Sequence, residues 1–477
     1  MFYGRQSELN SMNKRYAGEK FECIVMYGRR RVGKTSLIKE FCKDKPVIFF
    51  SALNASSGEN LDALSKAVFE YKTPDNLSYP KFHSYEDVLE EISKMAQEQR
   101  LVFVIDEYPY LAKAEPSISS RFQHIIDHVW QNGRLYLILC GSSMSFMQNQ
   151  VLGYESPLYG RRTAQFKIEA LTYRDITVFN PDLSLADQAL IYGITGGIPH
   201  YINKLDVNQD VDEALQENLF DTSSYLFEEP ENLLKQELRE PAIYNSIISA
   251  VAGGASRANE ISTKVGIESG ICAKYLRVLL DLGILQKETP VGEKVGKRTI
   301  YRVGDNFFRF WYAFGFTNFS QLEDGDADGV YEYVIAPALH EFASFAFEDV
   351  CREFVKELQK KNALPFRYSR MGRWTGKTTV RDKDAAGGLR TAETEIDLLG
   401  IGSDAKEYLV GECKFKNTPF NYSEYLAVKT KLTSLKDTSK LYYALFSESG
   451  FDDKITAEAE DKSNLLLYSL EQIVNLS

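Results

Sequence analysis

Gly28-Arg29-Arg30-Arg31-Val32-Gly33-Lys34-Thr35 is the stretch on which the fold of the N-terminal part turns. It has the spacing GxxxxGK[ST], it follows the apolar run 23–27, and it opens a segment of helical period. A loop between strand and helix with this composition aims backbone N–H groups at phosphate oxygens, and only glycine lets the backbone come that close. Lys34 would neutralise the β- and γ-phosphates of a bound nucleotide, and the Thr35 hydroxyl would ligate Mg2+. The nucleotide-binding set is therefore Gly28, Arg29, Arg30, Arg31, Val32, Gly33, Lys34, Thr35 and Ser36.

Outward from this loop, residues 23–27, 47–51, 101–105 and 135–140 are short apolar runs, rich in β-branched and aromatic residues, separated by segments of helical period. That alternation predicts a parallel sheet with helices on both faces. The run 101–105 ends in Asp106-Glu107. A buried strand closing on two carboxylates has few structural uses, because an unpaired buried charge is costly. Beside the loop, Asp106 fits a carboxylate that backs a Mg2+ ion, and Glu107 fits the carboxylate that orients an attacking water.

The chain has 477 residues, which at ~150 residues per domain suggests about three domains. Charged residues make up 26% and apolar ones 44%, an ordinary globular composition that excludes a disordered chain. Fifty-six basic side chains stand against 67 acidic ones, a net charge of −11 that excludes a globally basic nucleic-acid coat but not local patches. The six cysteines form neither a CxxC pair nor a compact framework, and they read as thiols of a reducing compartment. The N-terminus lacks a signal pattern, and the most apolar stretch, 307–316, is short and interrupted by Arg309. The expectation is a cytoplasmic protein with no membrane partner.

The opening Phe2-Tyr3-Gly4-Arg5 with Glu8 and Leu9, the loop, and Val104-Ile105-Asp106-Glu107 together resemble the archaeal-type ATPase family. That family belongs to the additional-strand-catalytic-glutamate P-loop proteins and lies near the AAA and STAND groups. The likeness continues through Leu139-Cys140-Gly141-Ser142-Ser143 and Pro157-Leu158-Tyr159-Gly160-Arg161-Arg162-Thr163 to Gly196-Gly197-Ile198-Pro199, over roughly the first 230 residues. It implies ATP and Mg2+ as cofactors. It implies a γ-phosphate sensor at Ser142 or Ser143, and an arginine finger at Arg161 or Arg162, with a solvated surface arginine as the competing reading. Residues 196–201 contain no arginine, and the proline motif looks more like the STAND arrangement, in which nucleotide holds a switch.

Residues 241–304 have another rhythm. Helical segments at 243–251, 259–265 and 269–282, the last closing on Gly283, precede two short strands around a Gly- and Lys-bearing turn. This reads as a winged helix. Residues 286–303 carry five basic side chains, including Lys294, Lys297, Arg298 and Arg302, against two acidic ones. With Lys274 and Arg277 on the third helix they suit DNA, while a protein-docking module or a homo-oligomer contact is the other use of such a fold. The aromatic run 307–312 fits a core helix joining two domains, where Arg309 pairs or snorkels.

Near the C-terminus, 395–401 reads as a strand, 402–406 as a turn and 407–414 as its partner, after a helix at about 335–360 and a Gly/Arg/Lys-rich irregular region. Glu412 and Lys414 then share one face, with Cys413 turned inward. A turn centred between Asp404 and Ala405 sets Asp397 directly across from Glu412. Glu348, on the preceding helix, could add a third carboxylate. The constellation resembles the restriction-endonuclease-like PD-(D/E)xK core, with Ile396 where that signature has proline, and also the C-terminal domain that follows archaeal-type ATPases in many chains. The resemblance implies Asp397, Glu412 and Glu348 as metal ligands and Lys414 as the catalytic cation. His124 and His128 lack the adjoining Glu of a zinc protease and read as an ordinary helix face, and no histidine activates Cys413.

The expected architecture is an α/β P-loop NTPase with a helical lid over 1–230, a winged helix and connecting helix over 231–318, and an α/β restriction-endonuclease-like domain over 319–477. Two functions fit it. One is an ATP-hydrolysing switch coupled to a DNA-directed, metal-dependent nuclease. The other is an ATP-gated DNA-binding regulator or scaffold whose C-terminal domain does not cleave.

Overall fold

The run Glu22–Tyr27 (β1) is buried along its whole length, and its alternate side chains enter two different cores. Cys23, Val25 and Tyr27 join Phe103, Ile105, Leu137 and Leu139 on one face, while Ile24 and Met26 join Val102, Val104, Ile138 and Cys140 on the other. A strand apolar on both faces belongs in the middle of a parallel sheet covered by helices. The computed structural model describes residues 2–73, 79–207, 210–292, 299–381, 389–404, 406–431 and 440–476. It divides into two compact units, Met1–Ala170 with Ile198–His200, and Leu171–Gly197 with Tyr201–Ser477.

In the first unit β1 is joined by β2 (Val47–Ser51), β3 (Val102–Asp106), β4 (Tyr136–Gly141) and β5 (Ala164–Lys167), in the order β2-β3-β4-β1-β5. All neighbours are parallel. The strand β4 thus stands between the strand that leads into the phosphate loop and the strand that ends in Asp106. Covering helices are amphipathic at period 3.6. The helix Tyr85–Glu98 buries Val88, Leu89, Ile92, Met95 and Ala96 and starts on Ser84, whose hydroxyl accepts the Asp87 N–H.

The second unit contains three helices, Pro241–Ala252, Ala258–Val265 and Ser269–Asp281, then the antiparallel hairpin of β6 (Leu285–Glu288) and β7 (Ile300–Val303). Gly283, at φ +72°, supplies the left-handed turn that ends the third helix. Lys274 and Arg277 are exposed on that helix, whereas Cys272, Leu276 and Leu279 are buried. The aromatic run lies in the helix Asn306–Phe310 and the turn that follows, and Phe307, Phe308, Phe310 and Trp311 are buried as a core helix requires. Arg309 is half-buried beside them, its guanidinium over the Phe342 ring. Residues 228–232, acidic and carrying Pro230, lie inside the helix Tyr225–Glu237. Glu229 there is fully buried and accepts a 2.9 Å hydrogen bond from the Tyr201 hydroxyl, so tertiary burial overrides both the local charge and Pro230.

The C-terminal sheet has the order β12-β11-β10-β9-β8, from β8 (Tyr368–Arg381), β9 (Leu389–Gly402), β10 (Glu407–Lys414), β11 (Lys440–Ser447) and β12 (Leu465–Ser469). The last three are mutually parallel, β9 runs antiparallel to β10, and β8 runs antiparallel to β9. The long helix Ala336–Lys360 packs Ala343, Phe347, Val350, Cys351 and Phe354 against Leu398, Leu409, Ala444 and Phe446. The stretch expected to be irregular before residue 395 instead supplies β8 and the first part of β9. Cross-strand pairing defines them where no apolar alternation announces a strand.

Within this unit the β6–β7 hairpin is docked on the sheet. The Val291 N–H donates to the Arg373 carbonyl (2.8 Å), and the Val291 side chain is buried in the cluster of Ile396, Leu399 and Tyr425. Arg302, read as a phosphate contact, pairs with Glu288 (3.1 Å) and with Asp349 of the long helix (3.4 Å). Lys294, Lys297 and Arg298 lie outside the described residues. Among the described residues no helix is long and apolar enough to cross a membrane.

The long helix also carries the half-buried Glu353, which accepts from the Tyr192 hydroxyl (3.4 Å). Burial, then the neighbouring Asp349 charge, pushes its carboxyl from the ordinary 4.5 up to about 7. The folded chain therefore keeps a proton that the unfolded chain has lost, so this group costs stability as pH rises from about 4.5 to 7 and gives none back above that. Glu353→Gln should remove the loss. Between pH 5 and pH 8 the parent should lose on the order of 3 kcal/mol that the variant keeps, at about 1.4 kcal/mol per pKa unit. Urea unfolding of both at the two pH values measures it.

Candidate nucleotide site and C-terminal carboxylate cluster

The parallel register brings the ends of three strands level. Tyr27 pairs with Gly141, and Ser51 with Asp106, so residues 28, 106–107 and 142 emerge at one edge of the sheet. Gly28 leaves β1 where a Cβ would stand 2.2 Å from the Ile168 carbonyl oxygen, which only glycine avoids. The loop turns back through left-handed residues at Arg31 (φ +69°) and Gly33 (φ +90°), and the helix Lys34–Cys42 begins there. Val32 is buried, Ser36 lies exposed in the first turn, and the Arg30 guanidinium donates to the Tyr110 hydroxyl (3.1 Å). Arg5 holds the loop from outside, donating to the carbonyls of Val32 and Glu169.

Lys34 is 7% exposed, and its ammonium donates to the carbonyls of Gly28 (2.9 Å) and Arg29 (2.8 Å). Burial lowers its pKa against the opposing pull of Cys140, Glu107 and Asp106. The Thr35 hydroxyl donates to Asp106 Oδ2 (2.8 Å), and Asp106 Oδ1 accepts the Glu107 N–H (3.0 Å). Glu107 is held at φ +51°, an uncommon conformation for a non-glycine residue, and its Oε2 accepts from the Ser142 hydroxyl (3.0 Å). A positively charged loop opening a helix, with a hydroxyl backed by a carboxylate, fits a nucleoside triphosphate and a hard divalent ion. Of the two serines read as sensor, Ser142 is the one on Glu107.

The arginine pair is placed differently. Arg161 is engaged by both carboxylate oxygens of Asp127 (Nε to Oδ1 2.7 Å, Nη2 to Oδ2 2.5 Å) and also donates to the carbonyls of Pro157 and Tyr159. Arg162 donates to the Leu152 carbonyl (3.3 Å) and lies over the Tyr159 ring. The rings of His124 and His128 lie tilted against each other, with centroids 4.5 Å apart, on the helix that carries Asp127.

In the C-terminal sheet the pairs run from Tyr408 with Ile401 to Gly411 with Leu398, and the next step in that register sets Glu412 beside Asp397. Opposite, two residues of β9, Leu398 and Asp397, face the single Arg373 of β8, a bulge of the kind that re-aims a side chain. Asp397 Oδ2 accepts the Cys413 N–H (2.8 Å), and its backbone carbonyl accepts from Arg352 (3.1 Å). Burial first, then the charges of Glu412 and Glu348, push the Asp397 carboxyl up to about 7. Lys414 Nζ lies 2.8 Å from Glu412 Oε1, so the two share a face as their spacing requires.

Each carboxylate is already served by the chain. Glu412 also takes Lys431, at 2.9 Å and 2.6 Å to its two oxygens, and Glu348 takes Arg352 (3.3 Å) and Arg373. Arg373 in turn reaches Glu395 (2.9 Å) and Glu288 (3.6 Å). Among the described residues no group of three or more His, Cys, Asp or Glu side chains could hold a metal ion. The set Asp397, Glu412 and Glu348 in this arrangement therefore does not fit one. Cys413 is held well above the ordinary thiol range by burial and faces Cys351, so it offers no nucleophile. Sequence reading missed Arg5 as the loop's brace, Asp127 as the partner of Arg161, and Lys431, Arg352 and Arg373. Only Arg5 left a signal, as part of the opening tetrapeptide.

A family model for an ATPase domain predominantly from Archaea matches residues 2–205, and one for Archaea bacterial proteins of unknown function matches residues 311–428. The chain is 32% identical over 479 residues to the uncharacterized protein MJECL04 of Methanocaldococcus jannaschii, covering 99% of each chain. A 47-residue stretch, 10% of this chain, is 45% identical to the uncharacterized ATP-binding protein MJ0423 of the same organism and covers 80% of it. Among solved structures, the Walker-type ATPase PABY2304 of Pyrococcus abyssi superposes with a TM-score of 0.52 at 19% identity, over 65% of this chain and 96% of that one, a likeness of fold.

Gly28→Ala tests the loop geometry directly. Its Cβ would meet backbone, which cannot step aside as a side chain can. The variant should lose about 1–3 kcal/mol of stability, the cost of a forced clash in a packed site. Thermal unfolding with and without nucleotide should show a lower midpoint and a smaller shift on adding ATP.

Proposed function

The chain belongs to one family with MJECL04 of Methanocaldococcus jannaschii and carries an archaeal P-loop ATPase domain, and on that footing we propose that it is an ATP-hydrolysing switch. The observation that carries this reading is the hydrogen bond from Ser142 to Glu107. The same serine stands at the end of β4, where a residue can sense the γ-phosphate, and it holds the carboxylate that must orient water. Freeing Oε2 of Glu107 for a water means giving up Ser142. Hydrolysis is therefore coupled to a rearrangement that bound nucleotide provokes.

The remaining loop residues do the holding. Lys34 leaves the carbonyls of Gly28 and Arg29 for the phosphates, bringing a cation with little hydration left to lose. Thr35 and Asp106 are the residues that would hold Mg2+, which supplies charge neutralisation between the phosphates when bound. Glu107 accepts the proton of the water at Oε2. Arg161 serves as a finger only if it exchanges Asp127 for the phosphate. Lys34→Ala should raise the ATP dissociation constant at least ~10-fold, whereas Glu107→Gln should bind normally and turn over ~10²–10⁴-fold more slowly, the range for a lost general base. Calorimetry and phosphate release measure the two. Tight ATP-Mg binding by the Lys34 variant would remove the site assignment.

The working division of labour is an ATPase part with helical lid over 1–230, a winged-helix part over 231–318 and a nuclease-like part over 319–477. The switch acts through the last. The likeness to PD-(D/E)xK enzymes assigns Asp397, Glu412 and Lys414, with Glu348, to DNA cleavage. The ion pairs of Glu412 and Glu348 favour the other reading, an ATP-gated regulator whose C-terminal domain does not cleave. A plasmid-nicking assay with Mg2+ or Mn2+, with and without ATP, decides between them. Cleavage by this site must vanish in Asp397→Ala and Lys414→Ala while ATP hydrolysis continues.

DNA binding rests on the basic hairpin. Replacing Lys294, Lys297 and Arg298 together by Glu should weaken duplex binding at ~50 mM salt, where phosphate contacts dominate affinity. An unchanged isotherm would leave the hairpin as a docking element, the use its contacts through Val291 and Arg302 support.

A further inference from the structure

The cation nearest both oxygens of Glu412 comes from outside the Glu-x-Lys tripeptide. Lys431 ends the helix Tyr422–Lys431, nineteen residues further along, and its Nζ stands 2.6 Å from Oε2 and 2.9 Å from Oε1. Glu412 is 4% exposed, so this ammonium sits on a carboxylate that has almost no water to share. Lys414 adds a second ammonium on Oε1. Asp397, one step along the register, is occupied by the Cys413 N–H.

A buried carboxylate pair needs compensating positive charge, because removing one partner leaves an uncompensated buried charge. Glu412 meets two ammonium groups, Lys414 and Lys431, so its charge is answered within the chain. A divalent ion bound by Glu412 would take the same two oxygens that Lys431 holds. Glu348 offers no alternative, because Arg352 and Arg373 both donate to it.

We infer that Lys431 is the resident cation of the C-terminal carboxylate pair, occupying the place of a divalent ion, so that the closed site binds metal only when Lys431 is withdrawn. This rests on the reading of Asp397 and Glu412 as one site, and it makes the helix Tyr422–Lys431 the gate of that site.

The test is Mn2+ binding to the full-length, nucleotide-free protein, by calorimetry and by the electron paramagnetic resonance of free Mn2+. The parent should show no Glu412-dependent site tighter than about 1 mM, the weak end for oxygen-ligand cation sites. Lys431→Met should bind Mn2+ at least ~10-fold more tightly, within the range over which ligand charge tunes such sites, and lose that binding when Glu412→Gln is added. Lys431→Arg, which keeps the charge, should behave as the parent. Mn2+ binding by the parent that Glu412→Gln abolishes would overturn the inference, a comparison that does not need the Lys431 variants to fold. A Lys431→Met protein with the parent's circular dichroism and unfolding midpoint but no gain in binding would overturn it too. Mn2+ binding by Lys431→Met without plasmid nicking would uphold the lysine gate and remove the nuclease reading instead.

Discussion

The parallel register of β1, β3 and β4 is the constraint on which the nucleotide site depends. Because β4 is inserted between the other two, the end of β4 stands between the phosphate loop and the acidic strand. Shifting any of these strands by one residue would turn its core side chains from one face of the sheet to the other. Both faces are dry, so that slip would leave the residue types unchanged but destroy their packing. The level ends of the strands are what allow Thr35 to reach Asp106 and Ser142 to reach Glu107. The left-handed Glu107 shows where local backbone energy is given up to aim a carboxylate.

The C-terminal sheet uses the same principle with a different outcome. Adjacent strands again bring two acids together, and a bulge opposite Arg373 sets the direction of Asp397. There the charge is answered by lysines and arginines drawn from β10, β8 and two helices. A network closed in this way is stable without a ligand, and opening it means separating buried ion pairs.

The β6–β7 hairpin belongs to the same network. Glu288 reaches Arg373, and Arg302 reaches Asp349, so two charged positions of the hairpin are committed to the neighbouring sheet and helix. Val291 adds a buried apolar anchor and a backbone hydrogen bond to β8, the edge strand. An edge strand carries unpaired backbone groups that attract pairing, and here part of that edge is covered from within the unit.

From the amino acids alone one could read the phosphate loop, the acidic strand end, the three middle helices and the register of Asp397 with Glu412. Each rests on neighbours in sequence: a loop's spacing, a strand's alternation, a hairpin's turn. The strands β8 and β9 before residue 395 left no such trace, because their pairing partners rather than their own residues make them strands. Nor could the text of residues 228–232, acidic and proline-bearing, announce a helix with a buried glutamate, since the Tyr201 hydroxyl that donates to Glu229 is 28 positions away. Only the tertiary structure decided which cation each acid meets: Arg161 for Asp127, Lys431 for Glu412, Arg373 for Glu348. Charge pairing acts through space at about 3 Å and carries no periodicity along the chain, so the sequence lists the charges and the fold chooses their partners.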